Sequence, residues 1–208
     1  IRRRVQREPV AYILQEKEFW GRRFIVTPDV LIPRPETEHL VEAALARLPR
    51  QADPACRGLD LGTGSGAVAV SLAADRPGHL YFAVDRSYAA LRVARRNAEE
   101  NGVSDHIGFF AGSWMEALRP GGPAFDMIVS NPPSIPSAQL AALQPAISEH
   151  EPRLALDGQP GGIAAFEQIV GSAGPYLARD GFLLMEIGYD QRPAVSGICD
   201  RAGIYGPP

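Results

Sequence analysis

The sequence predicts a doubly wound α/β domain with a mostly parallel sheet, preceded by a small β-hairpin. Three observations carry that expectation. From Arg57 onward, short runs of apolar and β-branched residues alternate with longer helical patterns, as in a sheet covered by helices on both faces. The first of these strands passes directly into Gly62-Thr63-Gly64-Ser65-Gly66, and a small apolar helix follows, the opening unit of such a fold. A later strand stops at Asn131-Pro132-Pro133, where proline's missing N–H and fixed φ end a ladder abruptly.

In chain order, Ile1 to Arg7 is a basic cluster, read as a linker or the tail of a helix, and the start at Ile1 instead of Met reads as a piece of a longer chain. Aromatic and β-branched residues on either side of Gly21, from Glu18 to Val26, read as a hairpin. Residues 1–35 are therefore expected to be a linker and hairpin remnant of an N-terminal region, and residues 36–208 the main domain. Pro33 and Pro35 stiffen the next segment, and Pro35, Glu36 and Glu38 suit the first turn of a helix to about Leu48. Arg34 sits just before that helix, able to reach an anion or a partner, or to pair with a nearby Glu.

Strands are expected over Arg57–Leu61, from His79 to Val84 with Asp85 at the end, over Ile107–Phe110 and over Phe125–Ser130. Helices are expected from Ala67 to Asp75 and from Tyr88 to Asn101, the second stopped by Asn101-Gly102. An irregular segment from Ile135 to Gly161 is too long for a simple connection and reads as functional or disordered. A helix from Gly162 to Tyr176, a strand from Gly181 to Ile187 and a helix from Gln191 to Ala202 complete the alternation.

The totals exclude several functions. A chain of 208 residues holds one sizeable core, and a net charge of −3 argues against nucleic-acid binding through bulk electrostatics. No apolar run approaches the roughly 20 residues of a membrane helix. Cys56 and Cys199 form neither a CxxC pair nor a metal spacing, so free thiols in a reducing, cytoplasmic compartment are expected. Glu149-His150-Glu151 has no second ligand cluster to complete a metal site, and none is expected.

In the glycine loop, Gly62, Gly64 and Gly66 allow a ligand to approach the backbone closely, and the helix behind offers free N–H groups to an anion. Asp85, roughly 20 residues on, is placed to accept hydrogen bonds from ribose hydroxyls. Together they describe an adenosine-containing ligand, although Gly62-x-Gly64-x-x-Ala67 also fits a dinucleotide fingerprint. Asn131 breaks that tie: a carboxamide on a stiff corner, carrying both donor and acceptor, can pair with a planar amide or an aminopyridine edge. In a doubly wound sheet the first and fourth strands flank the ligand crevice, so Asn131 should face whatever the loop holds.

These features resemble the S-adenosylmethionine-dependent methyltransferases that modify planar nitrogens. Within that fold, Ile32-Pro33-Arg34-Pro35-Glu36-Thr37-Glu38, Asp60-Leu61-Gly62-Thr63-Gly64-Ser65-Gly66, Asn131-Pro132-Pro133 and Glu151-Pro152-Arg153-Leu154-Ala155-Leu156 occur in the order seen in the HemK/PrmC family. Members of that family methylate the glutamine side-chain nitrogen of the Gly-Gly-Gln motif in peptide-chain release factors. The resemblance implies that Asp60, Gly62, Thr63, Gly64, Ser65 and Gly66 surround S-adenosylmethionine. It implies that Asp85 holds the ribose and Trp114 lies along the adenine. Asn131 and the Pro132 carbonyl would accept hydrogen bonds from the substrate amide, with Pro133, Ser134 and Arg34 beside it. The partner implied is a release factor, with no metal.

The resemblance is incomplete in places. Ser134 stands where the family motif has an aromatic residue, and Ser113 where an acid often precedes the tryptophan. The family's sheet order, 3-2-1-4-5-7-6, implies two more strands beyond Tyr205-Gly206-Pro207-Pro208, so the C-terminal strands are expected to be missing from this stretch. Rival readings are a nucleic-acid adenine-N6 methyltransferase, a cofactor-binding module weakened at Ser134, and a nicotinamide-dependent oxidoreductase.

Overall fold

The computed structural model describes residues 1–51, 54–119, 121–122 and 124–206. Pro207 and Pro208, on which the expectation about the chain end partly falls, lie outside the described residues. The hairpin forms as expected, with strands β1 (Glu16–Phe19) and β2 (Arg22–Ile25) joined by a Trp20-Gly21 turn. It is followed by a 3-10 turn at Pro35–Thr37 and helix α1 (Glu38–Arg47). The main sheet contains β3 (Arg57–Leu61), β4 (Leu80–Asp85), β5 (Ile107–Ala111), β6 (Phe125–Ser130) and β7 (Leu177–Met185). All are parallel, in the order β5-β4-β3-β6-β7, which is the 3-2-1-4-5 part of the implied order. The helices that follow β3, β4, β6 and β7 are, in turn, α2 (Ala67–Asp75), α3 (Tyr88–Glu100), α4 (Ala164–Ala173) and α5 (Arg192–Ala202).

Strand alternation divides the core into two layers, because successive side chains point to opposite faces. Tyr81, Ala83, Met127 and Val129 pack on one side with Val41 and Ala44 of α1 and with α2. Leu59, Leu61, Val84 and Ile128 pack on the other with Ile169 and Ala173 of α4. Every residue of α2 from Ala67 to Ala73 is buried, which accounts for its uniformly small, apolar sequence. The hairpin is part of this core: Phe19 and Phe24 are fully buried in the α1–α2 layer, with their rings edge-to-face at 5.9 Å.

Two expectations are adjusted. β7 begins at Leu177 instead of Gly181, because its register against β6 jumps from Phe125↔Leu177 to Met127↔Phe182. Asp180, in the left-handed region at φ 64°, sits in that bulge, which absorbs the polar residues that hide the strand's start. The segment from Ile135 to Gly161 is ordered into single helical turns at Pro145–Ser148 and Arg153–Leu156 and a bridge between Ile135 and Asp157. No helix among the described residues is long and apolar enough to cross a membrane.

Candidate active site

β3 and β6 are neighbours, and their C-terminal ends open onto a cavity of about 310 Å³, within the range of small-molecule sites. The glycine loop forms one wall. Gly62 and Thr63 N–H groups both donate to the Val84 carbonyl, at 2.9 and 3.0 Å, tying the loop to the end of β4. Asp85 Oδ2 accepts from Gly64 N–H at 2.9 Å and Oδ1 accepts from Ser87 N–H at 2.8 Å. Each carboxylate oxygen has capacity for more than one donor, so Asp85 can hold the loop and still accept from a ligand. Burial raises its carboxyl above the ordinary range, and these backbone bonds oppose the rise.

Asp60, on β3, points toward α2 beneath the loop. Its Oδ2 accepts from the Thr63 hydroxyl at 2.7 Å and from Ala69 N–H at 3.3 Å. Burial pushes this carboxyl up to about 6, against the effect of both bonds. Trp114 forms the facing wall, its ring lying 3.4 Å from where a Cβ on Gly62 would be. Its φ of 48° is left-handed, a conformation that costs a non-glycine residue about 1–2 kcal/mol, and Nε1–H donates to Gln168 Oε1 at 2.7 Å. Such strain persists where the surroundings over-determine it, commonly at ligand sites.

Asn131 and Pro133 bring the end of β6 to the same cavity. Asn131 Nδ2 donates to Thr37 Oγ1 at 3.0 Å, leaving Oδ1 without a hydrogen bond among the described residues. Arg34 also lines the cavity, but its Nη2 is paired at 2.6 Å with Oε1 of Glu151, whose side chain is 1% exposed. Glu151 Oε2 takes the Ile32 N–H at 3.2 Å. The partner of Arg34 is thus a buried glutamate from the long connection, and not one of the acids beside it in sequence.

Residues 39–160 match the methyltransferase small domain family. A release factor glutamine methyltransferase of Geobacter sulfurreducens is 46% identical over 98% of this chain and 69% of its own length. One of Neisseria gonorrhoeae is 47% identical over 98% of this chain and 72% of its own. The chain belongs to the release factor glutamine methyltransferase family. Two solved structures share the fold at low identity. A ribosomal protein L11 methylase from Lactobacillus delbrueckii subsp. bulgaricus has a TM-score of 0.58 and 19% identity over 85% of this chain and 73% of that one. A SAM-dependent methyltransferase from Agrobacterium tumefaciens has a TM-score of 0.63 and 16% identity over 90% of this chain and 57% of that one.

For a member of the release factor glutamine methyltransferase family, the placement of the expected site residues is uneven. Asp60, Gly62, Thr63, Gly64, Ser65, Asp85, Trp114, Asn131, Pro133 and Arg34 all line the one cavity. Gly66, Pro132 and Ser134 are not among its lining residues. Gly66 starts α2 at φ 81°, and a Cβ there would stand 3.1 Å from Cβ of Ala94 and 3.2 Å from its Cα, so this position serves the packing of α2 on α3. Pro132 is buried. The Ser134 carbonyl accepts from Gln191 Nε2 at 2.8 Å, the same amide that donates to the Gly162 carbonyl at 3.1 Å.

Three residues that hold the site were not singled out from sequence. Gln191 is one, and Thr37 is the second. Asn97 is the third: it is fully buried on α3, donates to the carbonyls of Ile25 and Ser65, and accepts the Ile25 N–H at 2.7 Å, tying the hairpin to the glycine loop. An asparagine inside an otherwise good helix former's pattern was the available signal.

Proposed function

We propose that this chain transfers the methyl group of S-adenosylmethionine to the side-chain amide nitrogen of the Gly-Gly-Gln glutamine in peptide-chain release factors. The observation that carries the reading is the presence of the Asn131 carboxamide, with Oδ1 uncommitted, on the cavity walled by the glycine loop. The residues fit the cofactor: a Cβ on Gly64 would meet nothing nearer than the Gly62 carbonyl at 4.0 Å, so the loop backbone is open to close approach. Trp114 offers a flat apolar wall for a purine and Asp85 an acceptor for ribose. When bound, S-adenosylmethionine supplies an electrophilic sulfonium methyl and a neutral thioether leaving group.

The chain's own task is to make a poor nucleophile react. An amide nitrogen has its lone pair delocalised into the carbonyl, so it attacks only when aligned. Asn131 Oδ1 would take one N–H of the glutamine side chain, and the Pro132 carbonyl, which belongs to the peptide bond with the cavity-lining Pro133, would take the other. With both N–H directions fixed, the nitrogen is held in line with the methyl group, and positioning with electrostatics supplies the rate. The two acceptors also stabilise positive charge as it develops on that nitrogen, and its surplus proton leaves to water. A cytoplasmic setting goes with this reading, since both cysteines are free.

The test offers labelled S-adenosylmethionine together with an intact release factor, the same factor with the motif Gln→Ala, and adenine-containing DNA or RNA. Label on the intact factor alone is expected. Label on nucleic acid would replace this reading with an adenine-N6 methyltransferase, and cofactor binding without any transfer would replace it with an inert module.

A further inference from the structure

The glycine loop is held from behind by a side chain that does not itself line the cavity. Asn97 of α3 is fully buried, and its amide spends three hydrogen bonds on two separate parts of the chain. We infer that Asn97 is a positioning residue for S-adenosylmethionine: its amide joins the N-terminal hairpin to the glycine loop, so that the seat of the hairpin sets the shape of the cofactor wall. The inference rests on the cofactor proposed above, and its test separates it from the choice of methyl acceptor.

On the hairpin side the amide takes the place of a strand. In an antiparallel pair, alternate residues aim both backbone groups away from the partner strand. Ile25, opposite Glu16, aims both of its groups at Asn97. Its N–H donates to Oδ1 at 2.7 Å, and its carbonyl accepts from Nδ2 at 2.9 Å. Asn101, one turn further along α3, donates from Nδ2 to the Arg23 carbonyl at 3.2 Å. Two asparagines at i and i+4 share one helix face, so together they satisfy the outer edge of β2, which a two-stranded sheet leaves open.

On the loop side the amide supplies a donor that the backbone lacks. Ser65 precedes α2, so its carbonyl lies outside that helix's own hydrogen bonds, and no backbone N–H among the described residues reaches it. Asn97 Nδ2 does, at 2.8 Å. A primary amide carries two donors and an acceptor, the set that one strand residue and one loop carbonyl require. An ionised aspartate of the same shape has nothing to donate, and leucine has no bond to give. Both ends of the link lead to the cavity. Ser65 lines it directly, as do Pro28 and Val30 just past the hairpin, where Val26 and Val30 cluster with Ala90 and Val93 of α3. Without the amide, two walls of the cavity lose their shared anchor.

The experiment compares the wild type with Asn97→Ala and with Asn101→Ala, which cuts a hairpin bond and leaves the Ser65 bond in place. Calorimetry gives Kd for S-adenosylmethionine, under conditions where urea unfolding shows each variant folded, and steady-state methylation of a release factor gives kcat and KM. In Asn97→Ala, Kd and KM for the cofactor should rise about tenfold, the scale of one lost hydrogen bond. Its kcat at saturating cofactor should stay within about threefold, because Asn131 is untouched. In Asn101→Ala, Kd should stay within about twofold. A generally loosened fold would separate neither KM from kcat nor Asn97 from Asn101. Because coupling between sites is reciprocal, the wild type provides a second measurement, which decides the matter if Asn97→Ala fails to fold. Titrating S-adenosylhomocysteine into nitrogen-15-labelled protein should shift the NMR signals of the Asn97 side-chain amide and the Ile25 backbone amide, and leave the Asn101 side-chain amide in place. An unchanged Kd in Asn97→Ala, an equal loss in Asn101→Ala, or Asn97 and Ile25 signals that stay fixed would each overturn the inference. A wild type that binds S-adenosylmethionine and methylates no release factor would overturn the proposed function and leave the role of Asn97 standing; one that binds no S-adenosylmethionine would overturn both.

Discussion

Replacing Asn131 by alanine separates positioning from binding. The substitution removes Oδ1, the acceptor assigned to the glutamine NH2, and with it the Nδ2 bond to Thr37 at 3.0 Å. The two losses differ in size. Within the chain only that one bond is lost, so folding should lose about its net value, roughly 0.5–1.5 kcal/mol. A preorganised polar group facing developing charge is worth more: removing one typically lowers kcat by about 10²–10³, or about 2.7–4 kcal/mol. The glycine loop, Asp85 and Trp114 are untouched, so affinity for S-adenosylmethionine should stay within about threefold, under about 1 kcal/mol. Single-turnover methylation of a release factor, cofactor titration calorimetry and urea unfolding read the three quantities separately. A kcat within about threefold of the wild type would refute the positioning argument. So would a loss in cofactor affinity large enough to account for the whole rate effect.

Three further outcomes follow from the same geometry. Gly64→Ala places a methyl group in open cavity space at φ 56°; the strain should cost about 1–2 kcal/mol, and S-adenosylmethionine should bind at least about tenfold more weakly by calorimetry. An unchanged Kd would mean that no ligand approaches this backbone. Glu151→Ala strips Arg34 and the Ile32 N–H of their buried acceptor; because Arg34 keeps 31% exposure, the expected loss in urea unfolding is about 2 kcal/mol, below that of a fully buried pair. A loss under about 0.5 kcal/mol, the surface-pair range, would contradict it. Asp60 carries the pH prediction, its carboxyl raised by burial from 3.8 to about 6. The folded chain holds that proton more tightly than the unfolded chain, so ionisation costs the folded state. The cost is absent below about pH 4, grows to about 3 kcal/mol by about pH 6 and stays constant above it. Unfolding of Asp60→Asn should lose that slope relative to the wild type, and parallel curves from pH 4 to pH 7 would exclude the effect.

The parts of the fold legible in sequence are those bounded by residues with strong backbone preferences. β3, α2 and β6 were readable to the residue because glycines follow the first and prolines the last. β7 was not, because its bulge at Asp180 places charged residues where an apolar run was sought. The same contrast runs through the site. The glycine loop, Asp85 and Asn131 announce themselves by spacing, since local geometry places them at strand ends. Thr37 and Asn131 are 94 positions apart, Arg34 and Glu151 117, and Gln191 and Ser134 57. No periodicity encodes such pairs; the folded sheet brings them together. Arg34 illustrates the consequence, since acids next to it in sequence offered a plausible partner and the tertiary fold supplied another.

The central claim is that the Asn131 carboxamide holds the flat NH2 of a glutamine in front of the transferable methyl group. Co-crystals with S-adenosylhomocysteine and a peptide bearing Gly-Gly-Gln test it most directly. Asn131 Oδ1 should lie about 3 Å from the glutamine side-chain nitrogen, a normal hydrogen-bond length, with that nitrogen on the extension of the cofactor's sulfur. A glutamine seated elsewhere, or an Asn131 amide turned to offer its NH2 to the cavity, would contradict the account.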